Sequence, residues 1–190
     1  MAQPQISPNQ LNISGWNSVN SEIINRGDPN APPFNAITGI ANIRAHEFDA
    51  AARREVWAVA NIQGTYKPNT DILFHVHWLD AAATPNTGNV KWNFHFLYGS
   101  GNGTQPYRNI AGTAGGTTTV SSTQAVPATQ WTAMHSEVLA GFTTQLSPDS
   151  IIYYRVFRDP LDVDDTCTDS VWLLSTGIHY QVSGFGAPNQ

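Results

Sequence analysis

The chain has 190 residues and a mass of 20.7 kDa, enough for one domain with an appended arm, and a domain of that size buries roughly 70 % of its unfolded surface. Nine basic residues against fourteen acidic ones give a formal net charge of −5, without the clustered Lys and Arg of a nucleic-acid footprint. Hydrophobic residues at 41 % are too many for a disordered chain, and no apolar run approaches the length of a membrane span. Neither nucleic acid nor membrane is therefore expected as a partner. Cys167 is the single cysteine, which excludes an internal disulfide and a multi-cysteine zinc site. The polar residues after Met1 predict no secretion signal and synthesis in a cytoplasm.

Asn, Gln, Ser and Thr occupy much of the surface that Lys and Glu usually take. Short β-branched and aromatic runs are separated by Gly, Pro, Asn and Asp, which predicts an all-β, jelly-roll-like antiparallel β-sandwich. In chain order, residues 1–36 carry Pro4, Pro8, Pro29, Pro32 and Pro33, with few residues to bury. They read as an extended N-terminal arm, which at full stretch reaches on the order of 100 Å. Trp16, Ile23, Ile24 and Phe34 are the arm's candidate partner-binding residues, because exposed apolar side chains call for a contact. Residues 37–190 form the sandwich domain.

Within it, Val56, Ala58, Ala60 and Ile62 share a face, as do Ile72, Phe74, Val76 and Trp78, with Leu73, His75, His77 and Leu79 opposite. Val90, Trp92, Phe94, Phe96 and Tyr98 then alternate with Asn89, Lys91, Asn93 and His95. These two runs predict a hairpin that sets His75 opposite His95 and His77 opposite Asn93. Residues 99–130 read as a Gly/Thr-rich excursion around one weak strand near 117–123. Strands at 134–139, 151–158 and 171–182 follow. In the last, Trp172, Leu174, Thr176, Ile178, Tyr180 and Val182 point inward and His179 outward. Trp57, Trp78, Trp92, Trp131 and Trp172 read mainly as core.

His75-Val76-His77 puts two imidazoles on one strand face, and His75, His77, His95 and His179 are the candidate metal ligands. No Glu follows at the cupin spacing, so hydrogen bonding within a polar sheet face is the expected role, with no metal and no cofactor. Asp159, Asp162, Asp164, Asp165 and Asp169 form an acidic loop, read as solvated rather than calcium-binding, with Arg155 and Arg158 pairing to it. No nucleophile motif or phosphate loop is present. Glu47, Glu55 and Glu137 are isolated acids, so catalytic residues are not expected.

The segments Asp71-Ile-Leu-Phe-His-Val-His-Trp78, Ile152-Tyr-Tyr-Arg-Val-Phe-Arg-Asp159 and Leu173-Leu-Ser-Thr-Gly-Ile-His-Tyr-Gln181 resemble a family of small tailed-bacteriophage virion proteins, over about Phe48 to Gly186. The resemblance implies a β-sandwich structural component, with these histidines in framework strands. The expected function is then a non-enzymatic capsid decoration, or cement, protein on the virion surface, synthesised in the bacterial host cytoplasm. It would be a homotrimer, with its arm bound to the major capsid protein. The alternative is a tail or head fibre module binding a host surface glycan through the excursion, Tyr107 and Trp131. A cupin-like metal-dependent enzyme is the third reading.

Overall fold

A computed structural model describes residues 16–24, 29–40, 42–82, 87–100, 106–111, 113–142 and 146–183. The alternating runs form eleven strands and, among the described residues, no helix. They are β1 (Trp16–Asn20), β2 (Glu22–Ile24), β3 (Phe34–Ala36), β4 (Arg44–Phe48), β5 (Arg54–Asn61), β6 (Ile72–Asp80), β7 (Asn89–Ser100), β8 (Thr118–Ala125), β9 (Ala133–Leu139), β10 (Ser150–Arg158) and β11 (Val171–Gln181). All strand pairs are antiparallel. One sheet runs β3-β4-β11-β6-β9 with β1 also on β11, and the other runs β2-β5-β10-β7-β8. Strands β4 to β11 thus divide as β4-β11-β6-β9 and β5-β10-β7-β8, the strand order of a jelly roll.

The core lies between the sheets. Phe74, Phe94, Phe96, Trp78, Trp92, Tyr154 and Tyr180 are all buried there. Phe74 on β6 meets Phe94 and Phe96 on β7 at ring separations of 5.2 and 4.8 Å, and Trp78 meets Trp92 at 6.2 Å. These contacts run across the sandwich rather than along a sheet, so the expected β6–β7 hairpin does not form. Its even-numbered residues do point inward, but two strands facing each other from opposite sheets show the same alternation as two strands side by side. The partners of β7 are β10 and β8, with His95 opposite Arg155 and Thr119, and the partners of β6 are β11 and β9. Much of the 99–130 excursion accordingly belongs to the sheet: β8 completes it, and Arg108 bridges back to Tyr98.

Further expectations change. Leu174 is 41 % exposed because a bulge between Leu173 and Ser175 resets the phase of β11, so Leu173 enters the core. Trp172 joins Ile37, Ala45, Leu79 and Ala81 in a second small cluster. Trp57 and Trp131, read as core, are 41 % and 45 % exposed, Trp57 because it holds an odd position on β5. The described part of the 1–36 arm is woven into the sandwich. Strand β1 lies on β11 and β2 on β5, with only Ser21 between them, and β3 lies on β4. Residues 1–15, with Ile6, Leu11 and Ile13, lie outside the described residues.

Arg158 at the end of β10 is fully buried. Its guanidinium bonds both oxygens of Asp165 at 2.9 Å and donates to the carbonyls of Phe48, Cys167 and Asp169. This ties the acidic loop to the sandwich. Lys91 Nζ stands 2.9 Å from both Asp162 and Asp164. Arg155, expected beside the loop, instead pairs with Glu55 at 3.1 Å on the outer face of the five-stranded sheet. Substituting Asp165→Ala leaves a buried, unpaired guanidinium, which costs about 3–5 kcal/mol. Calorimetry should show melting lowered by about 6–20 °C at the ~2–4 °C per kcal/mol typical of this chain length.

Candidate functional site

With their even positions committed to the core, β6, β9 and β11 after its bulge present their odd positions on the outer face of the six-stranded sheet. Across β11, β6 and β9 the register aligns Gly177, His75 and Glu137 in one row, and Ser175, His77 and His135 in the next. His179 stands opposite Leu73 on one side and Ser18 of β1 on the other. Neighbouring side chains on such a face have Cβ atoms about 4.5–5.5 Å apart, so four imidazoles and a carboxylate are forced together.

His75 is the centre of this group. Its ring lies 4.3 Å from that of His179, 5.3 Å from His77 and 5.4 Å from His135. His77 and His135 stack at 4.5 Å with an interplanar angle of 6°. Beneath these rings His75 is fully buried, and neither of its ring nitrogens has a hydrogen-bond partner among the described residues. An unsatisfied buried polar group ordinarily costs about 1–3 kcal/mol. Burial, reinforced by the neighbouring His179, His77 and His135, lowers the His75 pKa to about 3. The ring is therefore neutral at pH 7, with one nitrogen lone pair available. His77 is shifted in the same direction, first by burial.

The rim is polar. Glu137 Oε1 lies 2.8 Å from His179 Nδ1 and 3.4 Å from His135 Nε2, and His179 Nε2 lies 3.0 Å from Ser18 Oγ. One ring nitrogen from each of His75, His135 and His179 falls within 4.8 Å of the others. Imidazole nitrogens in such a cluster can hold a borderline transition cation.

Of the four sequence candidates, His75, His77 and His179 come together, and His95 does not. It belongs to β7 in the opposite sheet, where its Nδ1 stands 3.0 Å from Thr119 Oγ1. The four-histidine cupin-like arrangement with His95 is consequently not formed. Its place is taken by His135, which the sequence reading missed. The signal was present in His135-Ser136-Glu137, whose odd positions share the phase of His75 and His77.

The outer face of the five-stranded sheet carries a different set. Trp57 and Tyr153 are 41 % and 43 % exposed. Arg155 lies 5.8 Å from the Trp57 ring and 5.1 Å from the Phe157 ring. Tyr107 packs edge-on to Tyr153 at 5.4 Å and covers Gly99. Trp131 is elsewhere, with its indole N–H donating to the Thr38 carbonyl at 3.0 Å. Among the partner-binding candidates, Trp16 and Phe34 are 52 % and 55 % exposed on β1 and β3, whereas Ile23 packs on the main core and Ile24 is half-buried.

No protein-family profile and no curated protein matches the sequence. Among solved structures, the chain is similar to the CBM22-1–GH10 modules of Clostridium thermocellum endo-1,4-β-D-xylanase 10B complexed with xylohexaose, at 10 % identity and a TM-score of 0.37, covering 92 % of this chain and 28 % of that one. It is also similar to the mannan-recognising carbohydrate-binding module TmCBM27, at 13 % identity, TM-score 0.32 and 92 % coverage of both chains. A third similarity is to TmCBM61 in complex with β-1,4-galactotriose, at 8 % identity, TM-score 0.28 and 92 % coverage of both. The fold assignment rests on the strand order above and not on these alignments.

Gly177 makes room for His75. A Cβ there would lie 2.2 Å from the Val19 carbonyl oxygen and 2.8 Å from His75 Cε1, so Gly177→Ala must push β1 off β11. A loss of about 1–3 kcal/mol is expected, together with faster hydrogen exchange of the β1 amides.

Proposed function

We propose that the chain is a non-enzymatic structural protein of a tailed-bacteriophage virion, a decoration protein that sits on the head as a homotrimer and binds the major capsid protein. The loop between β10 and β11 is the observation that supports this reading. Leu161 and Val163 are 89 % and 87 % exposed, yet the loop that carries them is tightly fixed. Asp159 Oδ1 accepts from the Leu161 N–H at 3.2 Å and Asp162 Oδ1 from the Asp164 N–H at 3.0 Å, while Lys91 and Arg158 hold Asp162, Asp164 and Asp165. Two apolar side chains fixed in water suit a protein contact, since little ordering entropy remains to be lost on binding. Trp16 and Phe34, exposed where the N-terminal strands join the six-stranded sheet, offer further contacts. Repeating such contacts around a closed trimer multiplies modest affinities into avidity.

Each fully buried side chain of this kind contributes about 1.5–3 kcal/mol. Replacing Leu161→Ser and Val163→Ser together should weaken attachment to heads by more than about a hundredfold, with the circular dichroism of the isolated chain unchanged. Particle imaging after mixing the native chain with undecorated heads should place density over the head surface. Density confined to tail or fibres, or an unaltered affinity of the double variant, refutes the assignment.

A second reading, a glycan-binding fibre module, draws support from Trp57, Tyr153 and Tyr107 on the outer face of the five-stranded sheet. Aromatic faces beside Arg155 can stack on sugar rings and orient their hydroxyls. On a glycan array, this reading requires a sugar retained by the native chain and lost in Trp57→Ala. An array that retains nothing removes it.

A further inference from the structure

We propose that His75, His135 and His179, together with the Glu137 carboxylate, form a site for one divalent transition cation of the zinc, nickel or cobalt class on the outer face of the six-stranded sheet. The inference is independent of what the whole chain attaches to.

The distances are close to those of a coordination shell. The three imidazoles bring one nitrogen each to within 4.8 Å of one another. Around tetrahedral zinc, with bonds of about 2.0–2.1 Å, neighbouring donors stand about 3.4 Å apart, so side-chain shifts of less than about 1 Å close the set. Glu137 Oε1, at 2.8 Å from His179 Nδ1 and 3.4 Å from His135 Nε2, is already at the spacing of adjacent donors on one ion. Ser18 Oγ occupies the other nitrogen of His179. In the metal-free chain the Glu137 carboxylate, 2.8 Å away, makes Nδ1 the protonated nitrogen; a cation at Nδ1 would replace that proton, and Nε2–H would then donate to Ser18 Oγ, as metal-bound imidazoles donate to their outer partners.

His75 supplies the independent argument. It is fully buried, surrounded by three other imidazoles, and neither ring nitrogen has a partner among the described residues. A ring satisfied within the fold would have a carbonyl or hydroxyl against one nitrogen. A neutral imidazole enclosed by others of its kind is complemented by a cation, which accepts the lone pair. Three nitrogens and one carboxylate oxygen favour borderline metals over calcium or magnesium, which take oxygen shells. The ligands come from β11, β6 and β9, so one ion would cross-link three adjacent strands.

The test uses the full chain, stripped with EDTA and titrated with zinc chloride, with calcium and magnesium chloride as controls. After dialysis, elemental analysis should find one zinc per chain. At a hundredfold excess over Kd the melting temperature should rise by about 5–10 °C, with no rise for calcium or magnesium. Cobalt should give the visible absorption of a tetrahedral ion. His135→Ala and His179→Ala alter partly exposed side chains, so the metal-free variants should melt close to the native chain. Each should weaken zinc binding by at least about tenfold. His95→Ala, on the opposite sheet, should leave binding unchanged. Failure to retain zinc at micromolar concentration, zinc binding that survives both cluster substitutions, or binding lost in His95→Ala overturns the proposal.

Discussion

The two-residue period of the β-pleat is the constraint on which the rest of this molecule depends. Once Phe74, Val76 and Trp78 face the core from one sheet, and Trp92, Phe94 and Phe96 face it from the other, every second residue on those strands must stand on an outer surface. His75, His77, His135, Glu137 and His179 are outward for that reason, as are Trp57, Tyr153 and Arg155. Neither group is assembled by a loop. Each is the reverse side of a stretch of core, and its geometry is as rigid as the packing behind it.

The outer surfaces differ in how they treat their polar groups. On the five-stranded sheet, Glu55 is buried but answered by Arg53 and Arg155, whose guanidinium groups also lie over Phe157. At the last residue of β10, the carboxylate of Asp165 receives a bidentate guanidinium, and the remaining donors of Arg158 reach carbonyls. In both, charge meets charge, although Arg53 Nε and Arg155 Nε have no hydrogen-bond partner among the described residues. His75 goes further, for it has been withdrawn from water with both of its ring nitrogens unanswered among the described residues.

Face assignment was legible in the sequence, and partner assignment was not. The alternation in 72–78 and 90–98 correctly marks Phe74, Trp78, Trp92 and Phe94 as interior. It carries no information on whether β7 lies beside β6 or across from it, because both arrangements bury the same residues. That ambiguity drew His95 into a group it does not join. His135 was overlooked for a related reason, since a short strand with an Ala and a Met at its start has weak alternation and invites no face. The slip at Leu174 has another cause, because a bulge depends on the neighbouring strand and leaves no local mark. Similarly, Pro-rich composition near the start of the chain hid three short strands, whose pairing relies on tertiary partners rather than on their own propensity.

Strand β11 is bordered on one side by both β1 and β4 and on the other by β6. Strand β1 therefore has no edge to zip onto until residue 181 has been made, and β3 and β4 have only each other until β11 follows. Completing the six-stranded sheet relies on pairings of very large sequence separation, which are slow to close. The imidazole face is likewise completed last, when His179 arrives beside side chains made a hundred residues earlier.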